Sequence, residues 1–103
     1  MARKKSVSSL QEIIEILKIH KEEIKQKYKV KEIGVFGSFV RGEQNKKSDV
    51  DILVEYEEIP GLIKFIELEL YIQKLLKRKV DLIEKEGIRP ELKEKILKEV
   101  IYV

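Results

Sequence analysis

Three short pieces of this sequence can do chemistry: Gly37-Ser38, Asp49-Val50-Asp51 ten residues later, and Asp81 within Lys79-Val80-Asp81-Leu82-Ile83. Gly37 has no side chain, so the backbone can turn sharply there and a ligand can come close. Ser38 then opens a short helical stretch, where free backbone N–H groups and the helix dipole favour an anion. Its hydroxyl can donate to a phosphate oxygen. Side chains alternate along a strand, so Asp49 and Asp51 point the same way. Two carboxylates that close repel each other, and one pKa rises unless a cation sits between them. A hard cation such as Mg2+ resolves the repulsion, because it prefers oxygen ligands and binds through a few carboxylates plus substrate phosphates.

Each piece also has a plainer reading. A Gly-Ser pair is a turn in most chains, and Asp-x-Asp is usually a pair of solvated edge carboxylates. Here the apolar residues between and after the acids set them at the mouth of a buried strand. Asp81 is flanked by apolar residues, and an unpaired buried carboxylate is costly. Metal ligation beside Asp49 and Asp51 would account for it, and so would a salt bridge to a nearby Lys or Arg. A calcium loop is excluded, because Leu53 and Val54 stand where it needs Asp or Asn and then Gly. The phosphate-loop signature Gly-Lys-Ser/Thr is absent.

The surrounding elements are legible from periodicity. Residues 1–8 read as a flexible basic terminus, and residues 9–103 as a single domain with little room for a separate acceptor-binding lobe. Ser9-Leu10-Gln11-Glu12 matches a capping box. It opens a first helix, about Ser9 to Lys27, with Leu10, Ile13, Ile14, Leu17 and Ile24 at helical spacing. Val30–Phe36 reads as a strand running into the Gly37-Ser38 turn, Phe39–Gly42 as a short helical stretch and Glu43–Ser48 as a loop. Val50–Tyr56 is a strand whose Ile52-Leu53-Val54 run suggests burial on both faces. After Pro60-Gly61 a second long helix, Leu62–Lys77, carries apolar residues on more than one face. It is either covered all round or meets another subunit. Val80–Ile83 is a third strand, and Pro90–Glu99 a last helix with Pro90 at its first position. Ile101-Tyr102-Val103 is an apolar tail packed on the domain or a partner. His20 sits at the edge of the first helix's apolar stripe, and the four tyrosines are scattered core-edge residues.

Composition narrows the setting. There is no cysteine, so disulfides and thiolate metal sites are excluded. No apolar run is long enough to span a bilayer. Arg3-Lys4-Lys5 is not followed by an uninterrupted apolar region, so it does not read as a secretion signal. The cytoplasm is the simplest location. The 22 basic and 19 acidic residues are interleaved, and a net charge of +3 does not argue for nucleic acid by itself. The Lys, Glu and Ile-rich mixture is of the kind enriched in proteins from hot environments.

Taken together, Gly37, Ser38, Asp49, Asp51 and Asp81 resemble the minimal nucleotidyltransferases of the DNA-polymerase-beta superfamily: Gly-Ser, ten residues, Asp-x-Asp, and a third Asp on a later strand. Arg41-Gly42 and Ser48 fall where such proteins often carry the same residue types. The resemblance implies an α/β fold, a small mixed twisted sheet covered by helices. The acids would lie on one exposed face, with the helices on the other. It implies nucleotide binding by Gly37, Ser38 and Arg41, with ATP as substrate; Arg41 would neutralise phosphate charge, and a surface pairing with Glu43 or another acid is an equal alternative for it. It implies catalysis and metal binding by Asp49, Asp51 and Asp81, with two Mg2+ ions. Small members of the family are commonly antitoxins that adenylylate a Tyr on an all-helical HEPN ribonuclease toxin, which implies that partner and a hetero-oligomer. Two alternatives stay open: a non-catalytic binding antitoxin, and a nucleotidyltransferase acting on RNA or a small molecule.

Overall fold

A computed structural model describes residues 6–103; the Arg3-Lys4-Lys5 start lies outside the described residues. The elements run α1 (Leu10–Tyr28), β1 (Val30–Phe36), α2 (Ser38–Arg41), β2 (Val50–Tyr56), α3 (Leu62–Leu76) and β3 (Val80–Glu84), then a 3-10 turn (Lys85–Gly87), α4 (Pro90–Glu99) and β4 (Ile101–Tyr102). Ser9 caps α1: its Oγ accepts the Glu12 N–H at 3.2 Å. The return half of the capping box is shifted by one residue, since Glu12 Oε1 accepts from the Ser8 N–H at 3.0 Å and the Ser8 hydroxyl at 2.9 Å.

The four strands form one mixed sheet in the order β3-β2-β1-β4. β1 runs antiparallel to β2 and β4, while β2 and β3 are parallel and are joined by the α3 crossover. Alternation sorts the strand residues onto two faces. Ile33, Val35, Val50, Ile52, Val54, Val80 and Leu82 meet Ile13, Leu17 and Ile24 of α1 and Leu68, Ile72 and Leu76 of α3 in the main core. On the opposite face Phe36 and Leu53 meet Ile88 and Ile96. β2 is an inner strand, so its Ile52-Leu53-Val54 run is buried throughout.

The structure departs from expectation at two places and sharpens it at a third. The acid-bearing face is not left bare: Ile88, Ile96, Leu97 and Val100 lie over it, because Phe36 and Leu53 also need apolar cover there. The N-terminal segment is anchored by Val7, which is 1% exposed and donates its N–H to the Leu76 carbonyl at 3.0 Å. The apolar C-terminal tail packs on its own domain, one of the two expected outcomes, and does so as an edge strand pairing with Gly34 and Val35 of β1. Gly34 admits it, since a Cβ there would stand 2.7 Å from Val100 Cγ2 and 2.9 Å from the Ile101 carbonyl oxygen.

For α3 the two sequence readings separate. Leu68, Ile72 and Leu76 are buried, whereas Leu62, Ile63, Ile66 and Leu70, with Ile59 just before the helix, are exposed. The described residues therefore do not cover the helix all round.

Candidate active site

Strand register assembles the site. Asp51 of β2 lies opposite Phe36, the last residue of β1, and level with Asp81 in the parallel β2–β3 pair. Both acids thus project to the face that carries α4. Gly37 follows Phe36 directly and has φ +82°, a conformation that favours glycine. A Cβ there would lie 2.0 Å from Asp51 Oδ2. The turn is packed onto the carboxylate, and only a residue without a side chain fits between them.

Asp49 stands one residue before β2 and is half-buried. The loop leading to it is held by Arg78. The Arg78 Nε donates to the Ser48 carbonyl at 2.7 Å, Nη1 donates to the Val7 carbonyl at 2.9 Å, and Nη2 donates to the Asn45 carbonyl. The guanidinium also lies 5.1 Å from the centre of the Phe39 ring. Within the loop the Ser48 hydroxyl accepts the Asn45 N–H at 2.9 Å.

An open cleft of about 280 Å³ brings Gly37, Arg41, Asp51 and Asp81 together with Lys95 and Glu99 of α4. Ser38 and Asp49 lie outside its lining, although Asp49 is close enough for its charge to act on Asp51. Burial pushes the Asp51 carboxyl up to about 6, and the negative charges of Asp81 and then Asp49 add to the effect. Arg41 opposes the shift. Asp81 itself is exposed, so it needs no partner to offset burial, and no Lys or Arg pairs with it among the described residues. The salt-bridge explanation for this acid therefore has no support in the geometry.

Arg41 is doubly paired. Its Nε donates to Glu43 at 2.9 Å and its Nη1 to Glu99 at 2.8 Å, which raises the guanidinium pKa still further. The other oxygen of Glu99 accepts the Gly37 N–H at 2.8 Å. Burial acts to raise the Glu99 carboxyl, but Arg41 and the Gly37 N–H outweigh it and hold the pKa below the ordinary value. Glu99, Lys95 and Arg78 were not singled out in the sequence. They belong to stretches of alternating Lys and Glu or to a Lys-Arg-Lys run, where nothing distinguishes a site residue from a solvated one.

The donors suit a hard cation. Among the described residues no three His, Cys, Asp or Glu side chains are gathered into a ready metal cage. Mg2+ does not require one, since it keeps several waters and shares its shell with substrate phosphates. The fit rests on Asp51 and Asp81 standing level on adjacent strands, with Asp51 raised by burial and then by the like charges around it. An all-oxygen, uncompensated carboxylate set of this kind is what such an ion neutralises.

The comparisons agree with this geometry. The profile for the nucleotidyltransferase domain matches residues 17–103. A protein adenylyltransferase, MntA, from Thermococcus cleftensis is 53% identical over 95 residues, covering 92% of this chain and 96% of that protein. A solved structure assigned as a minimal nucleotidyltransferase superposes with a TM-score of 0.80 at 31% identity, covering 94% of this chain and 98% of the other. A toxin–antitoxin crystal structure with AMP-PNP gives a TM-score of 0.67 at 25% identity, covering 89% of this chain and 69% of that one. The chain therefore belongs to the nucleotidyltransferase-domain family, among its minimal nucleotidyltransferases.

Proposed function

We propose that this protein is a Mg2+-dependent protein adenylyltransferase and the antitoxin of a toxin–antitoxin pair, moving AMP from ATP to a tyrosine of a helical HEPN ribonuclease. The observation that carries the reading is the level pairing of Asp51 and Asp81 beside the Gly37 turn, at an open cleft. The name of the Thermococcus cleftensis relative and the toxin–antitoxin likeness support the choice of a protein acceptor. So does the apolar surface that α3 leaves exposed, which suits a chain working against another protein.

In this reading Asp49, Asp51 and Asp81 are the residues that would hold two Mg2+ ions. Bound magnesium would neutralise phosphate charge and lower the pKa of the acceptor hydroxyl. The Gly37-Ser38 turn receives the triphosphate, and Arg41 balances charge on it. Asp81, exposed at the cleft, takes the acceptor's proton as the hydroxyl oxygen bonds to the α-phosphorus and pyrophosphate leaves. No described helix is long and apolar enough to cross a membrane, and the reaction we propose belongs in the cytoplasm, where ATP and the ribonuclease's substrate are found. The test is to incubate the protein with ATP, Mg2+ and its co-expressed helical partner and to follow the partner's intact mass. Gain of AMP with the wild type and none with Asp49→Asn/Asp51→Asn is expected; full modification by the double variant would reject the site.

A further inference from the structure

Glu99 shares the cleft with Asp51 and Asp81, and its carboxylate grips two donors there. Its two oxygens span the Gly37 N–H and the Arg41 Nη1, each at 2.8 Å. One carboxylate bridging a backbone N–H and a guanidinium makes the contacts that a phosphate edge makes with the same pair of donors. The grip is built into the fold. Gly37 and Glu99 are 62 residues apart. Glu99 is the last residue of α4, and it is followed at once by Val100, whose N–H bonds the Ile96 carbonyl, and by β4 paired on β1. Its side chain is only 14% exposed.

We infer that Glu99 is an internal phosphate mimic, holding the donors of the Gly37–Arg41 turn until the triphosphate of a nucleotide displaces it. The inference rests on the nucleotide-binding reading of that turn. Three further acids, Asp49, Asp51 and Asp81, already crowd this face. A fourth negative charge on the phosphate donors opposes nucleotide both by occupancy and by repulsion. Lys95, one turn earlier on α4, lines the same cleft and is near enough to act on the Glu99 carboxyl. It offers the displaced carboxylate a second cation at i,i+4 spacing.

The experiment measures the affinity of the full chain for AMP-PNP with Mg2+ by calorimetry, beside melting curves for each variant. Glu99→Gln keeps the volume and removes the charge, and roughly tenfold tighter binding is expected from loss of one close like charge. Glu99→Asp keeps the charge on a shorter arm that cannot span both donors, and it too binds more tightly. Arg41→Ala binds more weakly, and adding Glu99→Gln to it restores little, because most of the mimicry passes through Arg41. If Glu99→Gln and Glu99→Asp bind equally or more weakly while the wild type binds and Arg41→Ala impairs it, Glu99 is a brace for the turn and the mimic is overturned. If the wild type and every variant fail to bind AMP-PNP, the nucleotide-binding reading itself falls.

Discussion

A carboxyl group with its pKa near 6 is a poor metal ligand below that pH and a good one above it. Asp51 is in this position because it is half-buried and faces Asp81 and Asp49. Two effects of opposite sign follow. Between about pH 4 and 6 the folded chain keeps a proton on Asp51 that the unfolded chain has lost, so stability falls as pH rises through that window and is level above it. On the proposed function, affinity for Mg2+ and nucleotide should rise through the same window, as Asp51 gains its charge. Melting curves against pH should show the slope in the wild type and a flatter line in Asp51→Asn. Gly37 sets the second residue-scale expectation. Gly37→Ala must place a Cβ against Asp51 Oδ2 at a positive φ, which we expect to cost about 1–3 kcal/mol and to lower transfer activity by more than the stability loss explains. Activity at a temperature where both proteins are fully folded checks this. The Gly37 turn and the common facing of Asp49 and Asp51 were legible in the sequence because a turn and strand alternation are short-range patterns. Asp81, on a later strand, joined them only through the family resemblance, because its strand alone left metal ligation and a salt bridge equally open. Glu99 was not legible, because pairing across 58 residues with Arg41 selects one of 19 acids that look alike in sequence.

The elements act as positioning devices for these few groups. β1 and β2 deliver the glycine turn and the acids with the bounds that apolar periodicity suggested, and Pro90 opens α4 as expected. What periodicity could not supply is how elements meet. It did not reveal that α4 would cap the acid face, or that β4 would pair beside Gly34, since both depend on contacts between distant segments. The loop before Asp49 is the clearest case. It has no regular structure, yet Arg78 ties its Asn45 and Ser48 carbonyls to each other and to Val7. A lysine could not reproduce that fork of planar donors. Arg78→Lys is therefore expected to cost about 1–3 kcal/mol in denaturant unfolding. It should also weaken Mg2+ and nucleotide binding through a loosened Asp49, leaving Arg41 and Glu99 paired. Unchanged unfolding and unchanged binding would remove Arg78 from this role.

At the scale of the whole molecule, a two-sided sheet is buried unequally. The α1–α3 side carries the main core, and the other side is split between a small cluster under α4 and the acid-lined cleft. Folding strength thus sits on one face and chemistry on the other. Ile72→Ala, in the main core, should cost about 2–5 kcal/mol, whereas Ile63→Glu on the outer side of α3 should shift stability by no more than about 0.5 kcal/mol. Chemical denaturation of the two variants separates the buried stripe of α3 from its exposed one. The central claim is that Asp51 and Asp81, set level beside a glycine turn, transfer AMP to a protein. Intact-mass measurement of the copurified helical partner, after incubation with ATP and Mg2+, tests it most directly. The wild type should add AMP to the partner, with Asp51→Asn and Asp81→Asn each at least about 100-fold slower. Partner modified at the wild-type rate by both variants, or never modified by the wild type, would contradict the claim.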